Sequence, residues 1–178
     1  MKIGLWYLIL VAVIGASVAF FEIWGAAHFH IAWGAPLPPD TVWGKPLIRK
    51  VPFNLVGFQL LTRYHFFMFG AFVPASVFIL GFQFRHMTAN PPTHWLGWLI
   101  FTIAGTLGVM VLEDFLFFAF SNIFGMPYPH ALERLLQGEA SWHPWQVSFF
   151  GLFKLPVVYI WVPPVSGLLL WLVSRFRL

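Results

Sequence analysis

Apolar residues fill four long stretches of the chain, at roughly 3–27, 64–84, 95–121 and 150–174. The first of them is apolar all round until Glu22, where a surface helix of a soluble protein would carry one apolar stripe. A helix of about 20 residues crosses a hydrocarbon core about 30 Å thick. The pattern predicts an all-α, polytopic membrane protein, a four-transmembrane-helix bundle forming one domain over 1–178. Between the first two spans lies loop 1, where Gly34, Pro36, Pro38, Pro39, Gly44 and Pro46 exclude regular helix. Residues 52–62 are apolar but too short to span, and read as an interfacial or re-entrant segment opened by Pro52. A short polar turn with Asn90-Pro91-Pro92 joins spans two and three. Loop 3 holds a short amphipathic helix from about Pro129 to Gln137, closed by Gly138. The long, structured loops 1 and 3 therefore share one side.

Within the spans, Ala104, Gly105 and Gly108 put small residues at spacings that let helices approach closely. Pro74 predicts a kink in the second helix, and Pro156, Pro163 and Pro164 a broken fourth. Apolar character runs past Asp114 to Gly125, so the third helix is overlong or turns along the surface. Trp6, Trp24, Trp95, Trp98, Trp145 and Trp171 fall near span ends, as an aromatic belt would.

Composition agrees with a membrane protein. Sixty per cent of residues are hydrophobic and only 9% charged, and mean hydropathy is +0.79. The absence of cysteine excludes disulfides and thiolate chemistry. The net charge of +4 comes from scattered Lys and Arg, so membrane lipids are the expected partner and nucleic acid is not. Lys2 and the small residues Ser17 and Ala19 resemble a signal peptide, but the apolar run continues through Phe20 and Phe21, which reads as a retained span. Loop charge sets orientation in the plasma membrane. Both termini are placed in the cytoplasm with Lys2, Arg85, Arg175 and Arg177, although Lys45, Arg49 and Lys50 in loop 1 argue the other way.

Counted inward from the cytoplasmic ends, Glu22, Arg63, His65, Glu113, Asp114 and Lys154 all lie about 19–22 residues along, one hydrocarbon thickness. His28, His30, His130 and His143 share that side. Ionisable groups at membrane depth are costly and are functional candidates by default. Imidazole with carboxylate suits iron, zinc or copper, so Glu22, His28, His30, His65, Glu113, Asp114, His130 and His143 are candidate ligands of a site that bridging carboxylates would make dinuclear. Glu113, Asp114, His143 and Lys154 are the candidate acid–base groups. Neighbours on a helix point about 100° apart, so Glu113 and Asp114 cannot both face one ligand closely.

The expected function is a membrane metalloenzyme that oxidises or hydrolyses a lipidic or small hydrophobic substrate. Two alternatives stand beside it. One is a haem or electron-transfer subunit using His30 and His65 as axial ligands. The other is an accessory, assembly or proton-relay subunit of a larger membrane complex, or a homo-oligomer, in which Arg63 or Lys154 fastens the bundle by pairing with Glu113 or Asp114. Tyr64, Tyr128 and Tyr159 are available to orient a substrate, and nothing in the sequence singles out one of them.

Overall fold

The computed structural model describes residues 2–28, 46–48, 61–88, 90–139 and 145–176. The described chain is mostly helical. Helix α1 is Ile3–His28, α2 is Arg63–Gln83, α3 is Trp95–Phe124 and α5 is Val158–Phe176; all four are long and apolar enough to cross a membrane. The short helix α4, Ala131–Gln137, lies between α3 and α5 in the chain. Two small antiparallel pairs complete the fold: β1 (Pro46–Ile48) with β2 (Leu61–Thr62), and β3 (Gln146–Phe149) with β4 (Phe153–Pro156). The expected segment at 52–62 falls largely outside the described residues, and its last two positions form β2.

Helix α3 touches α1, α2, α4 and α5. Lipid tails are as apolar as a leucine side chain, so close packing holds such helices together. The small residues supply it. Ala104 is fully buried. A Cβ on Gly105 would meet Val77 of α2, and one on Gly108 would meet Tyr7 and Val11 of α1. Large apolar side chains such as Leu8, Val13, Ile79, Leu99 and Leu168 point outward. So wide an apolar surface is a liability in water, and with the four helices it fits an integral membrane protein.

Several expectations need correction. Trp6 and Trp98 belong to the core, at 2% and 7% exposure, and Trp6 stacks on Phe101 at 5.2 Å. Only Trp24, Trp95, Trp145 and Trp171 of the expected belt are exposed. At Pro74, where a kink is expected, the second span runs on. The turn before this proline, Met68–Phe72, widens to π-helix, and the Val73 N–H reaches the Met68 carbonyl. A π-turn is a usual way to absorb an interrupted hydrogen-bond ladder.

The last span starts at Val158, not at 150, because residues 146–156 form a hairpin. Phe150 and Gly151 have φ of 52° and 75°, which reverses the chain as no helix can. Pro163 and Pro164 then lie inside a continuous α5. Helix α3 is overlong at 30 residues and ends at Gly125 in the left-handed conformation. Helix α4 follows the sequence expectation, with Gly138 as its cap at φ 85°.

Candidate functional site

The polar layer divides into two hydrogen-bonded groups. Gly15 and Glu22 lie seven residues apart on α1, two helical turns, and so share a face. At Gly15 the α1 backbone passes close to α3, where an added Cβ would lie 3.5 Å from the Glu113 nitrogen. That approach brings α1 against the Glu113 stretch of α3. The Glu22 and Glu113 carboxyls come close enough to act on each other. Tyr64, in the first turn of α2, donates its hydroxyl to Glu22 Oε1. Glu113 is 4% exposed. Two carboxyls that approach each other out of water can bond only by holding a proton between them, because an ionised carboxyl only accepts.

Asp114 turns the other way. It accepts a 2.5 Å hydrogen bond at Oδ2 from the Tyr159 hydroxyl, in the first turn of α5. The divergence expected of adjacent helical residues is thus what the structure shows. Glu113 serves the α1 and α2 side, and Asp114 serves α5.

The fastening cations of the sequence reading are elsewhere. Arg63 and Lys154 are exposed. Among the described residues the ion pairs are His130 with Glu133 at 3.2 Å and Arg134 with Glu139 at 2.8 Å. Lys154 sits on β4 opposite Ser148, and its aliphatic stem lies over Gly138. Tyrosines donate to Glu22 and Asp114. A phenol brings an apolar ring and a neutral donor, so no second charge has to leave water. Composition does not mark this role. The available signal was positional, a tyrosine in the first turn of α2 and another in the first turn of α5.

The histidines are dispersed. His65 is half-buried on α2 beside Tyr64, with ring centroids 5.6 Å apart. His28 ends α1 and stacks on Trp24 at 5.1 Å. His130 is on the exposed approach to α4 with Glu133, apart from the buried carboxyls. His30 and His143 lie outside the described residues, and with them the proposed haem pair of His30 and His65. Among the described residues no three His, Asp or Glu side chains converge as a metal site would require. Glu22 and Glu113 offer two carboxyls, and Asp114 is bonded to Tyr159.

Beyond Asp114, Phe118, Ala131 and Leu135 seal α3 against α4, with Tyr128 and Tyr159 packed on them. Tyr128 lies in the loop between these helices, outside the spans, and burial pushes its phenol above the ordinary tyrosine range. Comparison of the chain with protein-family models, with curated proteins and with solved structures returns no match. The functional reading therefore rests on the residues themselves.

Proposed function

We propose that Tyr64, Glu22 and Glu113 form a proton-holding centre, and that the protein is a proton-relay or transport subunit of a membrane complex. The observation that carries this reading is the meeting of two carboxyls from different helices, half-buried Glu22 with its tyrosine donor and buried Glu113. In this reading a proton shared between the two carboxyls keeps them from both being charged. Asp114 with Tyr159 gives a second acceptor on the neighbouring helix face. Such paired carboxyls suit a relay because a proton leaves one oxygen as another arrives. Placement in the plasma membrane with both termini cytoplasmic belongs to this proposal.

The test is infrared difference spectroscopy of the protein in lipid nanodiscs across a pH titration. A protonated-carboxyl band that disappears in both Glu22→Gln and Glu113→Gln is expected. A band unchanged by either substitution would end this reading.

A second reading has its own support. Acids on α1 and α3 meet with no cation at them among the described residues, and carboxylate is a ligand for iron, zinc or copper. In a metalloenzyme Glu22 and Glu113 would be inner ligands. His28, His30, His65, His130 and His143 would supply imidazole, and Asp114, His143 and Lys154 are the further acid–base candidates of that reading. A bound metal would supply Lewis acidity or redox capacity for a lipidic substrate. Metal content and the visible spectrum of the purified protein separate the readings. Stoichiometric metal that is lost in Glu113→Ala favours the enzyme, and a Soret band favours haem.

A further inference from the structure

The end of the bundle away from the carboxyls carries a second polar feature. The last turn of α5 and the turn leading into α3 enclose an open cavity of about 330 Å³, lined by Asn90, Trp171, Ser174 and Arg175. That volume lies at the lower end of the range of about 300–1,000 Å³ in which small ligands bind. Trp171 and Arg175 are four residues apart and so share one face of α5. The lining offers a guanidinium, an indole N–H, a hydroxyl and a carboxamide. These are mostly donors, and none of them is a carboxylate.

Two contrasts give the cavity a ligand. Arg85, at the same end, is already engaged: its guanidinium lies over the Phe82 ring at 4.2 Å, and Nη1 donates to the Phe82 carbonyl at 2.9 Å. Arg175 makes no such contact among the described residues, and its side chain borders the cavity. The second contrast is charge. The described acidic side chains, Glu22, Glu113, Asp114, Glu133 and Glu139, belong to the other end of the bundle, while Lys2, Arg85 and Arg175 belong to this one. A guanidinium fork matches two phosphate oxygens. An exposed tryptophan at a span end marks headgroup depth.

We infer that Arg175, Ser174, Asn90 and Trp171 bind the phosphate of an anionic membrane lipid headgroup. This rests on the chain being membrane-embedded and is independent of the proton-holding centre. The guanidinium takes the phosphate oxygens, Ser174 and Asn90 donate to the remaining polar atoms, and the indole packs at the acyl boundary.

The test is native mass spectrometry of the delipidated protein with added phosphatidylglycerol or phosphatidylcholine, and separately with inorganic phosphate. Retention of phosphatidylglycerol over phosphatidylcholine is expected. Arg175→Gln should weaken it on the order of tenfold, about what one charge-assisted contact contributes. Arg175→Lys, which keeps charge but not the fork, should recover part of it, and Ser174→Ala should weaken it less. Arg85→Gln should leave retention unchanged. Equal losses in Arg85→Gln and Arg175→Gln would mean diffuse charge attraction and overturn the site. Inorganic phosphate that binds alone and displaces the lipid would overturn the lipid source. Infrared bands of the carboxyl pair should be the same in Arg175→Gln, so failure here and failure of the proton centre are separable.

Discussion

Tyrosine does different work at the two ends of this bundle. Near the start of α1, the Tyr7 hydroxyl donates to the Ala104 carbonyl at 3.0 Å, and Ser166 Oγ of α5 donates to the same oxygen at 3.3 Å. At the far end, Tyr64 donates to Glu22 and Tyr159 to Asp114. The donor chemistry is the same, but the acceptors differ. A backbone carbonyl has no proton to gain or lose, so the first contact is only structural. A carboxyl changes charge when a proton moves, so the second end stores something the first cannot. The lesson is that a polar layer in a membrane protein is weighed by its acceptors more than by its donors.

Breaking the carboxyl pair should have the largest effect. Glu113→Ala leaves Glu22 without its carboxyl partner and opens a cavity on α3, and should cost about 2–4 kcal/mol. Glu113→Gln keeps a donor and an acceptor and should cost on the order of 1 kcal/mol. Denaturant unfolding in micelles measures both, and equal losses would show that the two carboxyls do not bond.

The tyrosines sharpen the comparison directly. Tyr64→Phe and Tyr159→Phe each remove a bond to a carboxyl and should cost about 1.5–3 kcal/mol, if the acceptor is charged, against about 0.5–1.5 kcal/mol for Tyr7→Phe. A larger loss at Tyr7 would reverse the assignment of roles. The helix seam comes next. A Cβ at Gly105 would sit 2.5 Å from Val77 Cγ1, so Gly105→Ala should cost about 1–3 kcal/mol by overpacking. Val77→Ala in the same chain should recover part of that, read as a double-mutant cycle.

The smallest effect is on the alkaline side. Burial holds the Tyr128 phenol neutral in the folded state beyond the pH at which the unfolded chain ionises. Its contribution is therefore complete below about pH 10 and is lost as pH rises beyond it. Tyr128→Phe should flatten that decline in a pH series of melting curves.

Much of the fold was legible because membrane spans are written in length and composition. Ala104, Gly105 and Gly108 announced the seam, and helical geometry alone separated Glu113 from Asp114. Depth, however, does not report which way a side chain faces. Trp6 and Trp98 sit at belt depth in the sequence yet point inward onto Phe101. The stretch Val147-Ser148-Phe149-Phe150-Gly151-Leu152-Phe153 reads equally as helix or strand from its apolar run. Only Gly151 hinted at the hairpin. At the site, the acids were found by their cost in lipid. Their tyrosine partners carried no such signal, because a tyrosine near a membrane boundary is ordinary.

The oxygen shared by Tyr7 and Ser166 has a consequence for how this protein can evolve. It belongs to the main chain, so no single substitution on α3 deletes it, provided the residue at 104 stays small enough for the neighbouring helices to reach it. Only the two donors are exposed to mutation, and each still leaves the other in place. The junction of α1, α3 and α5 is therefore built with redundancy, and sequence drift there should be tolerated one donor at a time.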